Sequence, residues 1–202
     1  MLAPDKALTF GVRLLLIMLF GTKETFAIEA ISEPTLKPPS AVWGRMQIWC
    51  QGVPIGDFSD SHCALHPGYT NFKNLGAHLS RLWKPEFDGL SDWALLNRLD
   101  ELLYGCHGDV EIEDGRSAEE CRRDWAEYGM FNFLTNWGEP FDRDGKSFIF
   151  CTPEQQVRIL KRDLPTGYGL ALEAPAPQVL NAIEGFLKWF EEEATRLGRP
   201  IT

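Results

Sequence analysis

The sequence has few cysteines and lacks a long hydrophobic run, and each deficit excludes a class of protein. Only five cysteines occur in 202 residues, and no two of them form a C-x-x-C pair. The one strongly apolar run covers residues 14–20, whereas a transmembrane helix needs about 20 apolar residues. We therefore expect neither a disulfide-stapled scaffold nor a stable association with a membrane. The odd cysteine count is typical of a reducing compartment.

Positive charge is also scarce. The chain has 20 lysines and arginines against 29 aspartates and glutamates, which gives a formal net charge of -9. Such a surface repels phosphates, so nucleic acid is not expected as a ligand, whereas encounter with a basic partner is favoured. With 44% hydrophobic residues, the composition is typical of one globular domain and excludes a disordered or fibrous chain.

The common catalytic motifs are missing as well. The sequence contains no G-x-S-x-G elbow, phosphate-binding loop, H-E-x-x-H pair or G-x-G-x-x-G turn. Two weaker candidates remain, the neighbours Cys106 and His107 and the acids Glu111, Glu113 and Asp114. Thiol and imidazole partners usually meet through the fold, and alternating acids usually form a solvated surface. We therefore predict no catalytic residues and no cofactor, with an enzyme built on these five residues as the alternative.

Metal-binding patterns are incomplete. His62, Cys63 and His66 form a close trio, but no second ligand pair follows at zinc spacing. Residues 142–145 resemble half of a calcium-binding loop, but the glycine comes two positions early and no glutamate completes the loop. We expect no metal site at either place, and a turn at residues 142–145.

The N-terminal segment allows two interpretations. Arg13 precedes the apolar run, and residues 25–27 are similar to a small-residue cleavage site, which together are typical of a signal peptide. Alternatively, translation starts at Met18, and residues 1–17 are an upstream extension of the gene. We favour the start at Met18, so that a single domain covers residues 18–202.

The next segment has the pattern of β-structure. Residues 26–31 alternate apolar and other side chains and are followed by a proline-containing loop, which predicts a first strand. Residues 41–50 alternate in the same way, and after a tight turn residues 53–58 form the second strand of a hairpin. Pro54 places this last strand at a sheet edge, since proline cannot donate to the ladder.

Further along the chain, helical spacing alternates with short strand patterns. Helices are predicted over residues 72–83, 91–104, 117–128 and 177–190, and strands over residues 146–151, 156–162 and 168–173. The fold class is therefore α+β. We predict a single domain with an antiparallel sheet of about six strands, in the order β-β-β-α-α-α-β-β-β-α, and helices packed on that sheet.

Three segments carry a family resemblance. MLFGTKETFAIEA begins at Met18, WGRMQIW covers residues 43–49 and GVPIGD covers residues 52–57. Over these segments the chain resembles the immunity protein 42 family of bacterial polymorphic toxin systems, and the element order is similar over most of its length. It departs from the family pattern at residues 1–17, 34–39 and 106–117. The residues that carry the resemblance, to which we assign scaffold roles, are Phe26, Glu29, Trp43, Gly44, Arg45, Gly52, Gly56 and Asp57.

The resemblance implies a function without catalysis. Members bind and neutralise a cognate toxin domain, which is usually made by the same cell and acts in its cytoplasm. The implied mode of action is non-covalent occlusion of that toxin. The acidity of the chain suits a basic toxin such as a nuclease. The alternative is an exported small α+β protein of unassigned binding function, which would begin near Ile28 after cleavage.

Tryptophan is the most unusual part of the composition, with seven residues. Core packing is the default expectation for the tryptophans that fall within predicted strands or helices, among them Trp43, Trp49, Trp93, Trp125 and Trp189. Trp137 lies instead in a loop with Glu139, Asp142 and Asp144, where an exposed indole with an acidic rim would anchor a protein partner. We therefore predict toxin contacts at these four loop residues, and second at Glu111, Glu113 and Asp114. Packing of Trp137 beneath its own loop is the alternative.

Overall fold

The computed structural model describes residues 17–59, 62–113, 115–141, 145–163 and 166–201. Within these ranges the helices are α1 (His66–His78), α2 (Asp92–Tyr104), α3 (Ala118–Tyr128) and α4 (Ala176–Arg196). The strands are β1 (Met18–Thr22), β2 (Phe26–Ser32), β3 (Trp43–Cys50), β4 (Val53–Ile55), β5 (Cys63–Ala64), β6 (Cys106–His107), β7 (Val110–Glu111), β8 (Lys146–Cys151), β9 (Gln156–Arg162) and β10 (Gly169–Pro175). Short 3-10 helices cover Leu79–Arg81, Pro85–Phe87, Gly129–Phe131 and Glu139–Phe141.

The first sheet contains the segments that carry the family resemblance. Its strands lie in the order β1-β2-β3-β4, and β5 also pairs with β3, all antiparallel. Gln51 and Gly52 connect β3 to β4 with φ angles of 52° and 76°, as a tight hairpin turn of type I′ requires. The predicted hairpin is therefore confirmed, and β4 with Pro54 lies at the edge of the sheet.

The second sheet has the order β10-β9-β8, and β6 and β7 form a separate two-stranded hairpin. The α+β class and the antiparallel pairing are confirmed, but the strands divide between two main sheets instead of forming one. The two sheets meet where the thiol of Cys50 on β3 lies 3.7 Å from the carbonyl oxygen of Glu173 on β10. This contact joins the sheets through a side chain rather than through a ladder of backbone hydrogen bonds.

Helix α4 covers the inner face of the first sheet. Phe26, Ile28 and Ala30 of β2 are fully buried on that face. Most apolar residues on one side of α4 are buried, whereas Leu180 is 38% exposed. Phe186 packs edge-on against Phe20 of β1 and Phe72 of α1. The hydrophobic core therefore lies between β1, β2, α1 and α4 and continues beneath the second sheet.

The helix boundaries follow from local capping chemistry. The Ser91 hydroxyl accepts a hydrogen bond from the backbone of Ala94 at the start of α2, and Ser117 and Glu120 form a reciprocal capping box at the start of α3. Both caps agree with the predicted helix starts. Helix α1 begins at His66, six residues before its predicted start, because Pro67 fits the first helical turn.

The burial of three tryptophans differs from the prediction. Trp93 and Trp125, on α2 and α3, are 44% and 40% exposed, whereas Trp137 in its loop is only 7% exposed. Trp137 packs edge-on against Phe72 and Phe133, with ring centroids 5.2 and 5.3 Å apart. The expectation of an exposed indole at Trp137 is therefore wrong, because the loop folds back over aromatic residues that periodicity does not connect to it.

Candidate binding surface

One acidic projection of the described molecule is the hairpin of β6 and β7, which we call the acidic hairpin (residues 106–111). It follows α2 directly after Gly105, whose φ of 63° ends that helix. Its tip and outgoing strand expose Asp109, Val110 and Glu111, and Glu113 is exposed just beyond. Val110 is 67% exposed between two acidic neighbours. Asp114 lies outside the described residues.

A buried ion pair holds the tip of the acidic hairpin. Asp100 on α2 is fully buried, and its Oδ2 accepts a hydrogen bond of 2.7 Å from the backbone N–H of Gly108. Lys146 on β8 donates to Asp100 Oδ1 at 2.7 Å and to the carbonyl oxygen of Gly108 at 2.9 Å. The backbone N–H and the carbonyl oxygen of Gly108 are thus both bonded to the buried charge pair, so we expect a change at Asp100 or Lys146 to release the tip.

Arg116 fixes the segment that follows the hairpin. Its guanidinium donates to the carbonyl oxygens of Glu101 and Leu102 near the C-terminal end of α2, and it pairs with Asp124 of α3 at 2.7 Å. A cation in this position compensates the partial negative charge of the helix end. The hairpin and α3 are therefore tied to the same helix, which presents the acids on a rigid base.

The loop around Trp137 carries fewer exposed groups than the sequence predicts. Glu139 is exposed, but its carboxylate accepts a hydrogen bond of 2.9 Å from the backbone of Ala64 on β5. Asp142 and Asp144 lie outside the described residues. In the described part of this loop, Glu139 alone among the predicted contact residues reaches the surface, because Trp137 belongs to the core.

Glu29 lies on the outer face of the first sheet, opposite the core. Its Oε2 accepts hydrogen bonds from Gln47 Nε2 and Trp49 Nε1, both at 2.6 Å, and from Lys23 Nζ at 3.0 Å. Burial by itself would raise the pKa of Glu29, but these hydrogen bonds outweigh burial and hold the pKa below its ordinary value. The charged carboxylate therefore ties β2 to β3 and to the turn that follows β1.

Most of the other residues that carry the resemblance also pack within the first sheet or against it. Phe26 is in the core, Trp43 stacks on His62 with ring centroids 4.6 Å apart, and Arg45 is half-buried on the outer face. A Cβ on Gly44 would lie 1.9 Å from the carbonyl oxygen of Ile31, so this position excludes a side chain. The atoms that lie closest to Gly44 are therefore backbone atoms of β2.

Gly56 and Asp57 follow β4 and stabilise the chain where it leaves that strand. Gly56 has a φ of 105°, and a Cβ there would lie 2.8 Å from the Phe141 ring. Asp57 Oδ1 accepts a hydrogen bond of 2.8 Å from the backbone N–H of Ser59, as aspartate side chains in turns commonly do.

The weaker catalytic candidates of the described chain lie on or beside the acidic hairpin, where Cys106 of β6 is the register partner of Glu111 on β7. The Cys106 thiol lies 3.3 Å from the carbonyl oxygen of Tyr104, and His107 pairs with Glu101. Burial and the nearby Glu173 carboxylate raise the pKa of Cys50 to about 12, which keeps that thiol protonated at neutral pH. Across the described ranges no group of three histidine, cysteine or acidic side chains could hold a metal ion.

An open cleft that the sequence did not indicate lies between α1 and the 3-10 helix Gly129–Phe131. Its volume is about 370 Å³, and its rim includes the exposed side chains of Trp125 and Met130. Asn71 and Asn74 line the opposite wall, and Trp137 lies against the cleft from the core side. The cleft combines amide groups with an apolar rim, but no sequence motif marks it because its walls come from distant segments.

None of the helices in the described ranges is long and apolar enough to cross a bilayer. Exposed acidic side chains of this kind steer the encounter with a positively charged partner. The model of the immunity protein 42 family matches residues 18–173, and the chain belongs to this family. It is therefore a toxin immunity protein, as the resemblance predicted, and family membership implies that it binds a cognate toxin.

A solved structure shows the same fold. The chain is similar to CdiI from Burkholderia dolosa AUO158, with a TM-score of 0.52 and 13% sequence identity. The match covers 85% of this chain and 99% of that one, so the likeness extends over most of the fold. No curated protein matches this chain.

Proposed function

We propose that this immunity protein neutralises its toxin by covering the toxin's active-site surface non-covalently, without catalysis. The observation that carries the proposal is the acidic hairpin, whose tip is bonded to the buried pair of Asp100 and Lys146. Binding groups that are already fixed lose little conformational entropy when a complex forms. The hairpin therefore suits tight occlusion of a preformed surface.

The proposed contact residues are acidic. Glu111 and Glu113 are exposed on and beside the acidic hairpin, and we extend the surface to Asp114, Asp142 and Asp144. Glu139 is exposed at the loop, where its bond to Ala64 fixes its position. Trp137 supports this loop from the core instead of contacting the toxin as an exposed anchor.

We infer that the toxin domain is basic, as nucleases that bind phosphates are. The net charge of -9 supports this inference, because a strongly acidic surface accelerates encounter with a cationic partner. Carboxylates placed where the toxin holds phosphates would also compete with its substrate. This part of the proposal predicts that association slows as the salt concentration rises.

We place the protein in the cytoplasm, with its folded domain beginning at Met18. Strand β1 begins at that residue, and the family match begins there as well. Export with cleavage after Ala27 would remove all of β1 together with Phe26 and Ala27, which are both fully buried. The intact mass of the native protein tests this: a mass that starts at Met18 supports the proposal, and a mature N-terminus near Ile28 contradicts it.

Coexpression tests the function directly. The C-terminal domain encoded by the neighbouring upstream gene is expressed in a host with this protein, and in parallel with an unrelated acidic α+β protein of similar size. We expect cell growth in the first culture and killing in the second. Equal killing in both cultures would contradict protection, and a purified complex of the two proteins would establish that protection acts through binding.

A further inference from the structure

Strand β1 leaves one side of the first sheet open. It pairs antiparallel with β2 from Met18 to Thr22 in continuous register, and within the described residues no strand pairs with its other side. The strand carries no charged residue and no proline, and its register with β2 is free of bulges, although the backbone at Gly21 has a φ of 96°. Charges, prolines and bulges are the devices by which soluble proteins usually protect an edge, so β1 is a bare template for another strand.

The side chains of β1 leave room for a partner strand. Phe20 points inward and packs against Phe186 and Trp189 of α4. Leu19 points to the outer face, where it is 44% exposed, and Gly21 places no side chain there. Apolar surface and free backbone groups therefore lie together at this edge.

We propose that β1 pairs antiparallel with β1 of a second copy of this chain. A two-fold axis at Phe20 would join two copies of the first sheet into one continuous sheet. In that arrangement each Leu19 faces Gly21 of the second copy, where no side chain competes for space. The strand is thus complementary to itself in shape.

Charge favours a second copy over a basic toxin as the occupant of this edge. The chain has a net charge of -9, so most faces of two copies repel each other, but β1 brings no carboxylate to the contact. A basic partner is drawn instead to the exposed acids of the acidic hairpin, which belong to other elements. Self-pairing therefore leaves the proposed toxin surface free, and it does not depend on the proposed toxin function.

Sedimentation velocity and light scattering of the full chain, from low to high micromolar concentration, test this pairing. We expect a concentration-dependent dimer of the unmodified protein. L19K places a charge on the edge, and because a two-fold dimer contains the change twice, it should raise the dimer dissociation constant roughly tenfold or more. L90K is the matched control, since Leu90 is another exposed leucine, 40% exposed, and the change in net charge is the same.

Hydrogen exchange of the unmodified protein provides a measurement that needs no variant. Amides of β1 should gain protection as the concentration rises, while those of the acidic hairpin should not. A monomer at every concentration would overturn the proposal, and so would a dimer that L19K and L90K weaken equally. If the protein alone stays monomeric and L19K specifically loses toxin binding, the edge belongs to the toxin and the second copy is excluded.

Discussion

At the scale of single residues, Asp100 controls the geometry of the proposed binding surface. Its carboxylate is fully buried and bonds both the hairpin tip and Lys146. Removing one member of a buried ion pair usually costs about 3–5 kcal/mol, because the other charge remains uncompensated. We expect D100N to lower the free energy of unfolding by an amount of this order in urea titrations, and to speed the exchange of the Gly108 amide.

Two further variants separate the ion pair from other effects of the change at Asp100. D109N removes an exposed carboxylate from the same hairpin and should change stability by no more than about 0.5 kcal/mol. The double variant D100N/K146M removes both charges and should recover part of the loss. A double variant as unstable as the sum of its single changes would contradict a coupled pair.

Glu29 makes stability depend on acidity in a defined direction. Its pKa is lower in the folded protein than its ordinary value of 4.5, owing to hydrogen bonds that outweigh burial. Its contribution is therefore fully present above the pKa of the unfolded chain and is lost as the pH falls through the folded pKa. We expect E29Q to cost about 1–3 kcal/mol at neutral pH, and the gap to the unmodified protein to close in acid.

The matched control is E24Q, which changes an exposed glutamate in the neighbouring β1–β2 turn. It should leave the stability nearly unchanged at neutral and at acid pH. Titration of the Glu29 carboxyl carbon by NMR gives the pKa directly, and a midpoint above 4.5 would be inconsistent with the hydrogen bonds described.

At the scale of structural elements, the acidic hairpin and the acids Asp142 and Asp144 should govern the rate of association with the toxin. Reversal of charge at Glu111 and Glu113 should slow association by about tenfold at low ionic strength and by less at high salt, because exposed charges steer encounter over a screened distance. We expect the same direction of change for Asp142 and Asp144. Stopped-flow or surface plasmon measurements at two salt concentrations give these rates.

E184K is the control for this series. Glu184 is exposed on α4, away from both acidic segments along the chain, and its reversal changes the net charge by the same amount. It should affect the association rate less than either hairpin reversal does. Equal effects would show that only the total charge matters, and an unchanged rate at low salt would remove a segment from the proposed surface.

The elements also show where sequence patterns were informative. The β3–β4 hairpin and the caps at Ser91 and Ser117 follow from residues close together in the sequence, and the structure confirms them. Strand β1 is not among the strands that the sequence predicts, since five residues with a glycine give little periodicity. The β6–β7 hairpin has two residues in each strand and was missed, because its stability comes from Asp100 and Lys146 rather than from its own sequence.

At the scale of the whole molecule, the folded unit should require β1. A chain beginning at Met18 should give the same circular dichroism spectrum and cooperative unfolding as the full chain. A chain beginning at Ile28 should not fold, because loss of a buried residue such as Phe26 alone costs about 3–5 kcal/mol of a total stability of about 5–15 kcal/mol. Cooperative unfolding of the shorter chain would contradict this prediction and favour the exported form.

The sequence by itself determined the α+β class, the main helices, the hairpin turn and the family, because these depend on periodicity, capping and short motifs. Tertiary structure alone decided that Trp137 is buried while Trp93 and Trp125 are partly exposed, and that Asp100 meets Lys146 across 46 positions of the chain. The physical reason is that burial and charge pairing depend on which distant segments pack together. Local patterns fix how a segment folds, but they do not fix what it packs against.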